Sequence, residues 1–219
     1  MVAVVTGANR GLGLEFCRQL KDRKSEVVAV CRQSSTGLEN LGVRIIAGVD
    51  VTRDDDRQSL YQELSQDRIE LLVNNAGILS NEHLDDLNAQ RILNQFTTNA
   101  LAPLLLTQTL LPLFAVPSKI AMITSRMGSI KDNTSGSRYG YRMSKCALNM
   151  AGVSLAHDVK AKGIALALLH PGYVRTGMTG HNGHIDSPES VRGLLQRIDE
   201  LTLATTGQFW HMSGSRLDW

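Results

Sequence analysis

The sequence predicts a doubly wound α/β fold, with one parallel seven-stranded sheet covered by helices on both faces. Three observations carry that expectation. Short, β-branched apolar runs alternate with longer amphipathic segments from one end of the chain to the other, the rhythm of right-handed βαβ units. The run at 69–73 is apolar almost throughout, as befits a strand buried on both faces. Nineteen glycines against five prolines favour many tight strand-to-helix turns over flexible linkers. At 219 residues the chain suits a single domain spanning 1–219, given roughly 150 residues per domain.

The elements follow in order. Residues 2–6 form the first strand and 12–22 the first helix. The second strand is 27–30, followed by a Ser/Thr/Gly turn at 34–37. Residues 43–49 make the third strand, 54–65 a helix that is polar on one face, and 69–73 the fourth strand. The stretch 84–113 is largely helical, with Asn88, Asn94 and Pro103 as its weak points. Strand five is 119–123, the helical period returns over 139–160, strand six is 164–169, 188–201 is the last helix, and 208–212 closes the sheet. The one irregular stretch, 177–187, is rich in Gly and His. No internal repeat, low-complexity segment or charge run marks a linker.

Composition narrows the function classes. Lys plus Arg number 23 and Asp plus Glu 21, a net charge of +2, too balanced to indicate nucleic acid or a membrane surface. Apolar runs such as Leu104-Leu105-Leu106 are far short of the ~20 residues that span a bilayer. Cys17, Cys31 and Cys146 are an odd number without CxxC spacing, which encourages neither a disulfide scaffold nor a zinc site. The six histidines lack metal-ligand spacing, so no metal is expected. The opening Met1-Val2-Ala3-Val4-Val5 is not a secretory leader, and a cytoplasmic location is the expectation.

In a sheet of this kind ligands bind outside the carboxyl ends of the strands, near the point where strand order reverses. Just after strand one stands Thr6-Gly7-Ala8-Asn9-Arg10-Gly11-Leu12-Gly13. Glycines there let the backbone turn sharply and approach a pyrophosphate, whose charge the following helix N-terminus favours. Their GxxxGxG spacing is neither GxGxxG nor Walker A. A 2′-hydroxyl on the adenosine ribose wants an acid about 20 residues further on, whereas a 2′-phosphate wants cations. Strand two ends in Cys31-Arg32 and Arg10 lies inside the loop, so two guanidiniums select NADP(H). Asp50-Val51, after strand three, offers a carboxylate to an adenine amino group.

These residues, with Asn74-Asn75-Ala76-Gly77, Tyr141-xxx-Lys145 and Pro171-Gly172 in that order, resemble the short-chain dehydrogenase/reductase family over nearly the whole chain. Arg10-Gly11-Leu12-Gly13 and Ser125-Arg126-Met127-Gly128-Ser129-Ile130 are similar to its carbonyl-reductase-like branch, which contains sniffer and C-factor proteins. The resemblance implies a Rossmann-type domain in which Asn74, Ala76 and Gly77 support the sheet and line the cofactor. It implies a catalytic set of Asn99, Ser125, Tyr141 and Lys145, and a Pro171-Gly172-Tyr173-Val174-Arg175-Thr176 segment whose Pro171, Gly172, Val174 and Thr176 meet the nicotinamide end.

The implied chemistry is coherent. Hydride transfer to a carbonyl leaves an alkoxide that needs a proton. Tyr141 would donate it. Lys145, one helical turn away, would lower the phenol's pKa and hold the cofactor ribose. Ser125 would polarise the carbonyl, and Asn99 would hold a water in a proton relay. Each has a rival reading: Tyr139 and Ser129 are nearby alternatives, Asn99 could be a satisfied core amide, and His181 and His184 fit a substrate lid or plain surface. The expected function is NADPH-dependent reduction of an aldehyde, ketone or quinone. The alternative is a non-catalytic NADP(H)-binding signalling or redox-sensing protein. Ala147, Leu148, Ala151 and Leu155 could pair two subunits as a homodimer or homotetramer, or pack inside one subunit.

Overall fold

The structure is a computed structural model describing residues 1–219. Its sheet has the order β3-β2-β1-β4-β5-β6-β7, with all neighbours parallel. The strands are β1 (Val2–Thr6), β2 (Glu26–Val30), β3 (Arg44–Ile46), β4 (Ile69–Asn74), β5 (Phe114–Ile123), β6 (Ile164–His170) and β7 (Gln208–His211). Strand order reverses between β1 and β4, which puts the ligand crevice over their carboxyl ends.

The helices are α1 (Gly11–Asp22), α2 (Thr36–Glu39), α3 (Asp54–Glu63), α4 (Ala89–Phe96), α5 (Ala102–Leu110), α6 (Tyr139–Lys160) and α7 (Ser187–Glu200). Alternation along β1 divides the core. Ala3 and Val5 face Phe16, Cys17, Leu20 of α1 and Leu194, Ile198 of α7, whereas Val2 and Val4 face Leu60 of α3 and Leu106, Leu110 of α5. A third cluster seals α6 to β5 and β6 through Leu148, Leu155, Ile120 and Leu166. Of the four α6 residues named for a subunit contact, Leu148 and Leu155 pack in that cluster, whereas Ala147 and Ala151 are only partly buried.

Local chemistry explains where the sequence expectations needed revision. The 34–37 turn is the start of a short helix, because the Ser35 hydroxyl accepts the Leu38 N–H at 3.2 Å and caps α2. Strand three is shorter than 43–49, pairing with β2 only over Arg44–Ile46. The helical stretch begins at Ala89, with Asn88 accepting the Arg91 N–H at 2.9 Å, and Asn94 lies unbroken inside α4. Pro103 stands in the first turn of α5, where its missing N–H is no loss. Between α4 and α5 the chain widens into a π-turn, Thr97–Leu101, centred on Asn99. Such turns recur where a helix must present a functional group. The stretch closes in a 3-10 turn, Leu111–Leu113, and strand five begins at Phe114 rather than at 119.

Candidate active site

Four segments meet at the carboxyl ends of the strands. The glycine loop turns from β1 into α1 with Gly7 and Gly11 at φ of 64° and 55°, backbone geometry that side chains disfavour. Gly13 leaves no room: a Cβ there would lie 2.1 Å from the Gly7 carbonyl oxygen and 2.7 Å from the Asn75 amide nitrogen. The loop is clamped from β4. Asn75 donates to the carbonyls of Thr6 at 2.9 Å and Gly7 at 3.3 Å, and the Thr6 hydroxyl accepts the N–H groups of Asn75 and Ala76 at 3.0 and 3.1 Å. Asn74 is buried and donates to the Thr107 hydroxyl at 3.1 Å, so it ties β4 to α5. Asn75, which the sequence reading passed over, is the residue that shapes the loop.

Other cofactor candidates gather around this bend. Thr176 comes closest to Gly11, with its Cγ2 3.7 Å from where a Cβ would stand, so the segment after β6 reaches back to the glycine loop. Arg10 and Arg32 are exposed and form no ion pair. Ser34, beside Arg32, has a buried hydroxyl without a hydrogen-bond partner. Ser35 donates to the Asn9 carbonyl at 2.7 Å. Asp50 Oδ1 already accepts from the Thr52 amide at 3.0 Å and hydroxyl at 2.7 Å, leaving its other oxygen for a ligand. Partial burial pushes its carboxyl up, but the Thr52 bonds and the Arg32 and Arg53 cations outweigh that and hold it below the usual range. Val51 is buried under this corner, Leu12 and Gly77 are partly buried, Val174 is buried, and Pro171 and Gly172 turn the chain out of β6.

The chemistry-bearing side chains converge at the ends of β5 and α6. Tyr141, Ser125, Lys145 and Asn99 are 8, 7, 5 and 0% exposed, a degree of burial that shelters them from bulk water. Ser125 caps a one-turn helix by accepting the Met127 N–H at 3.1 Å and acts on the Tyr141 phenol as a hydrogen-bonding neighbour. Ser129 instead accepts from the Asp132 amide at 3.1 Å. Lys145 donates to the Ile123 carbonyl at 2.8 Å, and its ammonium stands 5.8 Å from the centre of the Tyr141 ring.

One expectation needs correction, and one residue is more constrained than its sequence suggests. Burial pushes the Tyr141 phenol up to about 12, against smaller downward pulls from Ser125 and Arg138, so Lys145 does not bring it below its ordinary value. Nearly full desolvation also drives Lys145 down to about 8, and its hydrogen bond goes to a carbonyl rather than to the phenol. The phenol is therefore a protonated acid at neutral pH. Asn99 is the more constrained residue. Its amide donates to the Ile78 carbonyl at 2.8 Å and the Ser144 hydroxyl at 3.0 Å, and its oxygen accepts the Ile78 N–H at 2.8 Å. With both N–H groups committed, any water it holds must sit on an oxygen; the side chain brackets Ile78 and holds Gly77 beneath Lys145.

His170, at the end of β6, was not singled out by the sequence. Burial, aided by His211 and Arg126, holds its imidazole down at about 3, and its Nδ1 lacks a partner. A histidine with a depressed folded pKa stabilises the fold above the unfolded value of about 6.5, and that stability is lost as pH falls toward the folded value. The melting temperature of the wild type is expected to fall more steeply between pH 6.5 and 4.5 than that of His170→Asn. Parallel curves in a pH series of thermal melts would contradict this.

The comparison with known proteins agrees with this architecture. The family model for short chain dehydrogenases matches residues 1–185. The chain belongs to the short-chain dehydrogenase family. Among its relatives, 1-hydroxy-2-glutathionyl-2-methyl-3-butene dehydrogenase of Rhodococcus sp. strain AD45 is 36% identical over 99% of this chain and 98% of its own. C-signal of Myxococcus xanthus is 41% identical over 69% of this chain and 93% of its own. The NADPH-bound carbonyl reductase from chicken fatty liver superposes with a TM-score of 0.89 at 31% identity, covering 100% of this chain and 98% of that one.

The residues of this family member fit a dinucleotide. The bend closed by Gly13 would not survive a side chain, the α1 N-terminus it opens carries no side-chain cap, and Ser34 Oγ has no acceptor. Backbone N–H groups at such a terminus suit phosphate oxygens. Gly7, Gly11 and Gly13 would hold the pyrophosphate, with Arg10, Arg32 and Ser34 around the ribose phosphate.

Proposed function

We propose that the protein is an NADP(H)-dependent carbonyl reductase acting on an aldehyde, ketone or quinone. The observation that carries this reading is the buried meeting of a protonated phenol, Tyr141, with Ser125 and Lys145 at the carboxyl end of β5. Bound NADPH would supply the hydride. The Ser125 hydroxyl donates a hydrogen bond to the substrate carbonyl oxygen and orients it; Tyr141 Oη gives its proton to the same oxygen as negative charge develops there. As that proton leaves, the Lys145 ammonium provides the compensating charge in a setting where both groups have shed water. Lys145 would also hold the ribose hydroxyls of the bound nucleotide, and Asn99 fixes Ile78 and Gly77 beside it. The Rhodococcus relative is named for a 1-hydroxy compound, the alcohol partner of a carbonyl in such a couple.

NADPH oxidation screened against aldehydes, ketones and quinones, with NADH as the cofactor control, tests the reading. Turnover with at least one carbonyl and a preference for NADPH are expected. The 2′-phosphate assignment has its own test. Replacing Arg10 and Arg32 together with Ala removes two charge-assisted bonds of about 1.5–3 kcal/mol each, so KM for NADPH should rise at least about a hundredfold. KM for NADH should stay unchanged. Equal effects on both nucleotides would refute the role given to the arginines.

The C-signal relative supports a second reading, in which the bound nucleotide serves signalling rather than turnover. Tight NADPH binding with no turnover of any carbonyl in the screen is the result that would select it.

A further inference from the structure

We propose that Glu82 is a positioning residue for Tyr141, acting through the amide of Gly140; this rests on the reading of Tyr141 as the proton donor. Glu82 lies in the loop after β4 and is completely buried, with no cation at ion-pair distance. Burying a lone carboxylate is costly unless hydrogen bonds replace its water. They do so here. Oε1 accepts from Gln95 Nε2 at 2.7 Å and is held by the Ser80 hydroxyl, while Oε2 accepts the Gly140 N–H at 3.1 Å. Gln95 Nε2 and the Gly140 amide can only donate, one to each oxygen, so the group must be an acceptor at both ends.

Its location gives the carboxyl a task. Gly140 is the second residue of α6, and its N–H is one of the amides a helix start leaves unpaired. Arg138, the residue preceding the helix, has φ 51° and offers no side-chain cap; Glu82 caps from across the cleft, and its own carbonyl also accepts the Arg138 N–H at 2.7 Å. Negative charge there is further favoured by the helix dipole. The fit at Gly140 is close, since a Cβ would stand 2.3 Å from Gln95 Nε2 and 3.1 Å from the Ile92 Cα.

These contacts form a chain with both catalytic groups at its ends. Gly77 lies beneath Lys145 Nζ, Asn99 brackets Ile78, Gln95 Oε1 accepts the Ser80 N–H at 3.0 Å, and Glu82 reaches the residue preceding Tyr141. The carboxylate thus fixes where the first turn of α6 begins, and with it the place of the phenol relative to Ser125 and Lys145.

Glu82→Gln preserves size but puts an amide N–H₂ against one of two donors. With the carbonyl substrate found by screening, kcat should fall between about ten- and a hundredfold, the scale of a small misplacement of a reacting group. The NADPH dissociation constant should stay within about twofold, since the glycine loop is untouched. In nucleotide-free protein labelled with ¹³Cζ-tyrosine, the Tyr141 line, assigned by its loss in Tyr141→Phe, should move. Glu82→Asp keeps the charge but withdraws it by one methylene, and should act in the same direction. Wild-type kcat with an unmoved Tyr141 line in either variant would overturn the proposal. So would a loss of kcat matched by lost NADPH binding with the line unmoved, or failure of both variants to fold, because each makes Glu82 a general folding residue. Should Tyr141→Phe keep full turnover, the catalytic reading falls, and the ¹³C line still reports on the Glu82 contact.

Discussion

Tyr141→Phe is expected to lower kcat for carbonyl reduction by about a thousandfold, within the 10²–10⁴ that a positioned general acid contributes. The substitution removes a single oxygen from a ring that is 8% exposed, so neighbouring packing survives. Its hydrogen-bonding partner, Ser125, retains the bond from the Met127 amide, and stability should fall by no more than about 1 kcal/mol, the net worth of one neutral hydrogen bond. NADPH affinity should be nearly unchanged, because the glycine loop proposed to hold the phosphates is untouched. The loss should therefore appear in kcat and kcat/KM together, the signature of an interaction made in the transition state. Single-turnover oxidation of bound NADPH measures it directly. Near wild-type turnover would remove Tyr141 from the reaction and leave a protein that only holds its nucleotide.

The pH dependence follows from the same burial. The phenol is held at about 12, so a Tyr141-limited reduction should not weaken through loss of its proton below that value. Lys145 is held down at about 8, so a fall above neutrality in kcat/KM for NADPH, which reports the groups of the free enzyme, would point to the lysine.

The layout of the sheet was legible because β1, β4 and β6 are buried on both faces and composed almost wholly of Val, Ile, Leu and Ala. The glycine loop was legible for a similar reason: the residues required at a tight approach leave few alternatives. Hydrogen-bond commitments were not. That Asn99 could be a satisfied core amide was an open alternative, but nothing in the sequence announces that a π-turn will aim it at Ile78, 21 positions away. The pKa of Tyr141 was misjudged because Lys145 at i+4 is a sequence fact, whereas desolvation depends on the whole cleft. Glu82 could not be singled out, since an acidic residue in a polar loop usually faces water; only its meeting with Gly140, 58 positions on, gives it a role. Asn75 had the fairest signal, standing beside Asn74, yet which of the two faces the loop depends on where β4 ends.

The second large effect concerns the fold and the cofactor bend together. Gly13→Ala should destabilise the protein even though alanine is the better helix former by about 1 kcal/mol. The new methyl would lie 2.1 Å from the Gly7 oxygen and 2.8 Å from its carbonyl carbon, and backbone cannot step aside as a flexible side chain can. The same methyl presses on Asn75 Nδ2 at 2.7 Å, so the clamp on the Thr6 and Gly7 carbonyls opens as well. Overpacking costs about 1–3 kcal/mol and a lost hydrogen bond about 1 kcal/mol more. Against the helical gain, a net loss of roughly 1–3 kcal/mol remains, a fall of about 2–12 °C in Tm at this chain length. Nucleotide affinity should drop more sharply, by about a hundredfold, because the amides that would meet the pyrophosphate are displaced as a group. Gly177→Ala is the matched control: its Cβ would meet nothing within 4 Å, and its Tm and NADPH affinity should equal those of the wild type. If the two alanine variants melt and bind alike, the close approach of α1 to the β1 turn is not what holds the loop in shape, and the placement of the dinucleotide there loses its structural basis.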